Sequence, residues 1–561
     1  MKILNSSFLR GPNIYNMKPC FVADVDLEGH QTISLETLQD TAVLLRKLMP
    51  DAAAQLAIDA SQLAHLLARL LFAVQVWVGN QPAFCDAFAV QPSARKKYRL
   101  LCGYQNEVVA EEALRLSVRF ISAILNQQQF DLEGRLDDLK IVANATAFAS
   151  SAIFTLNYDG RIPVIAVTGT NGKTTTTQLI SHVLHSCGMY TGTTTTQGIY
   201  INGRCVETGD CSGYWSARRV LTDDSVQIAT LETARGGILK RGLAFNYCDV
   251  GLVLNVSSDH LGLDGIETLQ DLAQVKGLVA RCARDSAVLN ADDDLCVAMR
   301  ESLADHCKAV FFAMSPDNKV LREHLSHGGA GAFLSDDDWL VWCDKNQYAK
   351  VVKATDLPVT MQGRARYNIA NALAALAALC CLGFDTDVIA ASLMCFISNA
   401  QNNPLRGNLF EVEGIKLIVD YAHNPVAYRA LSEMAQSMRQ GGARLLGVVT
   451  APGDRRREDL YETGQVCGQY FDELIVYEHH PRGRKQGANS AEILRGARSI
   501  APDKPMHNVL KIRHALWRGL AAAKPGDVVV FTCAGTLEDL VAGIRLKNTA
   551  EADRIALEVS T

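Results

Sequence analysis

At 561 residues the chain is too long for a single hydrophobic core, and three or four domains are expected. It is 48% hydrophobic and 20% charged, the balance of an ordinary globular protein, and its net charge of −5 excludes a general nucleic-acid binder, which needs a basic face. Sixteen cysteines lie scattered, without a CxxC pair, in a chain large enough to need no disulfide staples, so a reduced, cytoplasmic protein is expected. The opening MKILNSSFLRGPN has no apolar run fit for a signal peptide. The longest apolar stretches, Leu66–Val78 and Ala372–Phe384, fall short of the roughly 20 residues of a membrane helix and read as core elements, so no membrane partner is expected.

Residues 1–155 carry no nucleotide signal. They open with an expected strand at Cys20–Leu27 and continue with helical periodicity at Leu35–Leu48, Ala54–Phe72 and Asn106–Leu125. Residues 156–162 read as a linker. From 160 to 398 strands alternate with helices, at Val164–Val167, Gln227–Leu231, Val250–Asn255 and Ala287–Leu289. Parallel strands need such crossovers, so this is a doubly wound α/β domain with its chemistry at the strand C-termini. Residues 399–561 read as a second α/β unit, with strands near Lys416–Asp420, Arg444–Val449, Glu473–Tyr477 and Asp527–Thr532.

The most informative segment is Val164–Thr177, VIAVTGTNGKTTTT. Apolar residues deliver the chain to the sheet edge, and a glycine loop lets backbone N–H groups close on phosphate oxygens. Lys173 adds a point charge, the Thr174 hydroxyl can sit on Mg²⁺, and a helix is expected over Thr176–His185. Val167 stands where a Walker-type loop has its first glycine, which points away from generic GTPases and towards ATP-driven amide ligases. Glu232 ends an apolar strand, where a hard oxygen ligand suits Mg²⁺. Asn255-Val-Ser-Ser-Asp259-His260 follows the next strand and offers a second metal ligand, and Lys276 lies beyond it on an expected helix. Taken singly these also read as a solvated carboxylate, a capping Asp-His pair and a surface lysine. In this order behind a phosphate loop they point together to metal and phosphate chemistry.

These segments, with Asn290–Asp293, Asn368, Asn371, Arg406 and Asp420–Pro425 (DYAHNP), resemble the Mur ligase superfamily, which makes amide bonds through an acyl-phosphate. LETARGGILKRGLAF, NVSSDHLGLDGIETLQDLAQVKGLVA, APGDRRREDL and RGRKQG are similar to the Mur-like half of cyanophycin synthetases over about 160–545. The start MKIL…LRGPNIY is similar, more weakly, to their N-terminal domain. The fold this implies is an N-terminal α+β domain (1–155), a Mur ligase-type central doubly wound P-loop ATPase domain (160–398) and a C-terminal Rossmann-like α/β domain (399–561).

The resemblance also implies roles. Gly169, Thr170, Asn171, Gly172, Lys173, Thr174 and Thr175 would hold the phosphates of ATP, Thr174 and Glu232 one Mg²⁺, and His260 a second. Lys276 matches a position carbamylated in many superfamily members. Asn290, Asp293, Asn368 and Asn371 would form the adenosine side, Arg406 would reach the phosphates, and Asp420, His423 and Asn424 would sit on a loop closing on nucleotide and substrate.

Three departures qualify the resemblance. Cyanophycin synthetases carry an ATP-grasp domain where this chain passes from Leu136–Lys140 to Arg161 almost directly, so only the side-chain-adding site is expected, with a separate ATP-grasp enzyme as a possible partner. Cys211, Tyr214 and Trp215 replace more polar residues near the acceptor channel, and Tyr477-Glu-His-His-Pro-Arg-Gly-Arg484 replaces a more acidic stretch, which points either to loop drift or to a different amine or acceptor. Where some family members carry a His/Glu cluster on an N-terminal helix, Ser61-Gln-Leu-Ala-His65-Leu keeps a single histidine, and the N-terminal domain reads as a scaffold or acceptor-docking module. The expected activity is ATP-dependent joining of an amino-acid amine to a carboxylate or peptide acceptor by a homo-oligomer, dimer or tetramer. The alternatives are a Mur or folylpolyglutamate-type ligase on another acceptor, or a nucleotide-binding subunit without catalysis.

Overall fold

A computed structural model describes residues 1–27, 63–79, 84–89, 97–126, 128–154, 160–478, 480–533 and 535–560. They form two compact units: 1–161 with 213–218 and 236–246, and 162–212 with 219–235 and 247–561. Among the described residues no helix is long and apolar enough to cross a membrane.

The first unit is a four-stranded antiparallel sheet in the order Lys2–Leu9, Cys20–Asp26, Lys97–Gly103, Cys85–Ala89. Helices Leu63–Trp77, Glu107–Leu125 and Leu132–Phe154 accompany it, and one apolar core links them to the sheet. The strand expected from Cys20 and the helix expected from Asn106 are both present, Asn106 serving as N-cap by accepting from the Val109 N–H at 3.2 Å. The expected helix at Leu35–Leu48 lies outside the described residues, as does the start of the one at Ala54–Phe72. Residues 141–154, read from the sequence as part of a direct passage to Arg161, continue a helix to Phe154. Their run of small and apolar residues forms helix readily but shows no amphipathic stripe, so periodicity misses it. Segment 236–246 joins this unit by backbone bonds, Arg10 N–H to Arg241 O at 2.8 Å and Leu243 N–H to Pro12 O at 2.9 Å.

The second unit holds two sheets. The larger has eleven strands, in the order Gln347–Lys353, Trp339–Asp344, Ala330–Leu334, Lys308–Ala313, Ala283–Asn290, Cys248–Val253, Val164–Thr168, Ile228–Glu232, Thr191–Thr195, Gly198–Ile201, Arg204–Thr208. Its middle is parallel and both margins are antiparallel hairpins. Val164–Thr168 is fully buried between Ile228–Glu232 and Cys248–Val253, with later strands on either side. The strand order therefore reverses direction at this strand, and a crevice opens at its C-terminal end.

The smaller sheet runs Asn408–Val412, Ile415–Asp420, Val528–Thr532, Leu445–Val449, Glu473–Val476, Met506–Asn508, parallel except for its first pair. Two of its helices, Arg457–Tyr470 and Ala488–Ile500, touch backbone to backbone. A Cβ on Gly464 would lie 1.9 Å from Ile493 O, and one on Gly496 2.0 Å from Tyr461 O. This contact fixes the helix that follows Arg455 and Arg456. Gly464→Ala is expected to lower the urea unfolding free energy by about 2 kcal/mol or more, because neither backbone can yield. An unchanged denaturation midpoint would show that the helices separate freely.

Candidate active site

At the switch point the chain leaves Thr168 and turns through Gly169–Gly172 into the helix Lys173–Ser186, one turn earlier than the sequence indicates. Asn255, just past the neighbouring strand, shapes the turn. Its Oδ1 accepts from the N–H groups of Thr170 (3.1 Å) and Asn171 (2.9 Å), and its Nδ2 donates to Asn171 O (3.1 Å). Gly172 has φ 88°, and a Cβ there would lie 2.2 Å from Asn371 Oδ1, so only glycine fits. Lys173 Nζ folds back to donate to Thr170 O at 2.8 Å.

One corner is suited to a hard cation. Thr174 Oγ1 donates to Glu232 Oε2 at 2.9 Å, and the same oxygen accepts the Thr196 N–H at 3.1 Å. Glu232 is buried, and its other oxygen, Oε1, has no hydrogen-bond partner. Burial raises the Glu232 pKa, against the pull of Lys173 and Arg406. A buried carboxylate oxygen without a partner, beside a threonine hydroxyl, is the donor set that Mg²⁺ takes when phosphates and water complete its shell. Arg406 reaches in from the smaller sheet's side, its Nη2 donating to Thr174 Oγ1 (3.3 Å) and Thr196 Oγ1 (3.2 Å), with its guanidinium over the Tyr421 ring.

Lys276, on the helix Leu269–Arg281, is buried and donates to Gly169 O at 2.7 Å. Burial, with Lys173 nearby, lowers its pKa to about 7, so much of it is the free amine near neutral pH. His260 stands apart from the cation corner. It has φ 58°, and its Nε2 lies 2.9 Å from Arg455 Nη2. Burial lowers its pKa, so the imidazole is neutral and able to ligate metal. Among the described residues no three His, Cys, Asp or Glu side chains converge on one metal position. Asp259 is the hub of this region, with Oδ1 2.6 Å from Arg455 Nε and Oδ2 3.3 Å from His423 Nε2. Burial opposes its charge, but His423 and Arg455 outweigh that and hold its pKa well below the usual carboxylate range.

A cavity of about 430 Å³ adjoins the loop, lined among others by Lys173, Glu232, Asn290, Asn371, Arg406 and Asp420. Thr170, Asn171, Gly172, Thr174, Thr175, Asp293, Asn368 and His423 also reach it, whereas Gly169, His260 and Lys276 do not. Phe312, Tyr367 and Leu431 supply apolar wall that sequence reasoning did not single out. Several of the amides and carboxylates also build the cavity itself. Asp293 accepts the Val256 N–H at 2.7 Å and caps the helix Asp294–Ala298; Asn290 Nδ2 donates to Leu254 O at 2.8 Å, and Asn371 Nδ2 to Asn368 Oδ1 at 3.0 Å. Asp420 accepts the Ala422 N–H at 2.8 Å, and burial raises its pKa. Asn424 caps the helix Pro425–Ser437 and pairs with Asn171, its Nδ2 2.9 Å from Asn171 Oδ1. Arg455, without an assigned role in the sequence, lay in the APGDRRREDL segment, where nothing marks which arginine turns inward.

Residues 167–379 match the Mur ligase middle domain and residues 406–535 the Mur ligase, glutamate ligase domain. The chain belongs to the Mur ligase superfamily. It is 43% identical over 392 residues to the cyanophycin synthetase of Synechocystis sp., a match covering 69% of this chain and 44% of that protein. The chain thus spans less than half the length of this relative. In fold it is similar to E. coli FolC in complex with DHPP and ADP (TM-score 0.51, 18% identity, 71% of this chain and 91% of that one). It is also similar to the pseudomurein peptide ligase type C from Methanothermus fervidus (TM-score 0.50, 18% identity, 72% and 81%).

The lowered Lys276 pKa sets a pH dependence. Between about pH 7 and the unperturbed lysine pKa of 10.5 the unfolded chain binds a proton at Lys276 that the folded chain does not, so this residue's contribution makes stability rise with pH over that window. The unfolding free energy of wild type minus that of Lys276→Met should therefore increase from pH 7 to 10, on the order of a few kcal/mol. A flat difference in urea titrations across that window would mean that the buried amine keeps its proton.

Proposed function

We propose that the second unit is an ATP-dependent amide ligase of cyanophycin-synthetase type, joining the amine of an amino acid such as arginine or lysine to a side-chain carboxylate of a peptide acceptor. The observation that carries this is the corner at Thr174 and Glu232: a buried carboxylate oxygen without a partner, next to a phosphate-type loop and two cations, Lys173 and Arg406. The 43% identity to a cyanophycin synthetase favours this acceptor chemistry over a folate or cell-wall precursor. We read residues 1–155, 160–398 and 399–561 as the scaffold, nucleotide and closing domains of a cytoplasmic homo-oligomer.

Bound ATP with Mg²⁺ supplies the phosphoryl group that turns an inert carboxylate into an acyl-phosphate with a good leaving group. The loop Gly169–Thr175 would hold the phosphates through the N–H groups that Asn255 leaves open, and Lys173, released from Thr170 O, would neutralise charge that builds on them. Thr174 and Glu232 would hold the metal, and His260 would ligate a second one, giving up the Arg455 N–H at its Nε2 if it binds through that atom. Asn290, Asp293, Asn368 and Asn371 with Phe312 and Tyr367 accept the nucleoside. Arg406, Asp420 and His423 close on the other side and exclude water that would waste the activated carboxylate. Lys276, with its pKa lowered to about 7 by burial, is uncharged in part near neutral pH and would react with CO₂ through its lone pair, losing a proton to become a carbamate.

Lys173→Ala and Glu232→Ala are expected to stay folded and to lower ADP release at least a hundred-fold, the usual effect of removing a group that stabilises transition-state charge. Wild-type turnover in either purified variant would remove the loop from the catalytic role. Lys276→Ala should be nearly inactive and regain part of its rate with added small carboxylates, which fill the anion position. Full activity without rescue would leave Lys276 a structural residue.

The side-chain-adding reading has its own test. With ATP, Mg²⁺, arginine, free aspartate and a defined aspartyl oligomer, mass spectrometry should show products decorated with arginine and not lengthened by aspartate. Backbone extension would then be the work of a separate ATP-grasp enzyme. Lengthened products from this protein alone would overturn the single-site reading.

A further inference from the structure

Arg406 stands on a strap, residues 395–407, that runs from the helix Thr386–Met394 to the strand Asn408–Val412. Its guanidinium crosses to the cation corner, so its direction depends on how the strap is held. Two left-handed residues flank it, Leu405 at φ 58° and Gly407 at φ 66°. A leucine takes that conformation only where its surroundings impose it. Here they do. The Leu405 N–H donates to Asn408 Oδ1 at 2.7 Å, Asn408 Nδ2 donates to Asn403 O at 3.1 Å, and Ser398 Oγ donates to Arg406 O at 2.8 Å. The Leu405 side chain is itself buried in the core of the smaller sheet.

Those bonds shape the strap internally, and Asn403 ties it to the phosphate-type loop. Asn403 is fully buried, and its Nδ2 donates to Thr175 Oγ1 at 3.2 Å and to Ser398 Oγ at 3.0 Å. Thr175 stands in the first turn of the helix Lys173–Ser186, next to the Thr174 hydroxyl that Arg406 contacts. Asn403 Oδ1, in contrast, is buried without a hydrogen-bond partner. An acceptor buried in that way costs free energy that an apolar side chain of the same size would not. Shape alone therefore does not call for an asparagine here. Its N–H donors do.

We infer that Asn403 is a positioning residue, which pins the strap to Thr175 and so aims Arg406 at the terminal phosphate of bound ATP. The inference rests on the ligase reading above. A metal held by Thr174 and Glu232 bridges the last two phosphates of a nucleoside triphosphate, which brings the guanidinium beside Thr174 to the terminal one. ADP has no such phosphate, so the aim of Arg406 is read as preference for the triphosphate.

The test is a double-mutant cycle read by calorimetry on the full-length protein. One arm titrates a non-hydrolysable ATP analogue with Mg²⁺, the other ADP with Mg²⁺. Arg406→Ala and Asn403→Leu should each weaken the analogue about ten-fold or more, as expected for a lost charge-assisted contact, and ADP less than three-fold. Adding Arg406→Ala to Asn403→Leu should weaken the analogue by less than a further two-fold, because an arginine that is no longer aimed has little left to lose. Asn403→Ala loses the same donors without added bulk and carries the cycle if the leucine variant does not fold. Asn402→Ala loses only an exposed bond to Ile397 O, so it should leave both arms within two-fold of wild type. The inference is overturned if the Asn403 variants bind the analogue like wild type, if ADP weakens by the same factor, if the two losses multiply, or if Asn402→Ala reproduces the defect. The ligase reading fails separately, through ATP turnover that survives Lys173→Ala.

Discussion

The side chain of Asn255 organises the candidate active site, because the phosphate-type loop has no regular structure of its own. Between Thr168 and Lys173 the backbone leaves the sheet and has not yet joined a helix, so its N–H and C=O groups need partners from elsewhere. Asn255 satisfies three of them, and its backbone carbonyl accepts the Thr170 N–H as well. The neighbouring parallel strand that delivers Asn255 is therefore as necessary to the loop as the loop's own glycines. Lys276 adds a second brace through Gly169 O, which ties the loop to the helix behind it.

Around this loop the second unit arranges charge in two regions. On one side are Glu232, Lys173 and Arg406, with a carboxylate oxygen left open. On the other Asp259 holds together groups from both sheets, Arg455 and His423 from the smaller and His260 from the larger. A buried ion pair repays its desolvation only when the geometry is good and every remaining donor or acceptor is used. Asp259 meets that condition with two partners, whereas Glu232 does not, and its open oxygen beside the phosphate-type loop is what carries the functional reading.

Cyanophycin synthetase similarity covers less than half of such a relative's length, while the Mur ligase family models match this chain through both the middle and the C-terminal domains. In the stretch Tyr477–Arg484 the one acidic residue, Glu478, accepts the N–H groups of Gly487, Asn489 and Ser490, so it is committed to a helix start.

The strands that end in Thr168, Glu232 and Asp420, the glycine loop and the family were all legible in the sequence. Buried parallel strands are short apolar runs, and a phosphate loop demands glycine, lysine and threonine at adjacent positions. The helix through Phe154 was not legible, because a uniformly small and apolar run has no periodic stripe to read. Nor were the pairings that define the site. Nothing local separates Arg455 from Arg456 and Arg457, or tells that Asn403 meets Thr175, or that Lys276 lies buried against Gly169 and not on a helix surface. Local chemistry determines which residue types stand at the end of each strand. Which of them lose water, find partners or are left with an open oxygen is decided when distant segments pack together, since burial and pairing belong to the assembled environment and not to the residue.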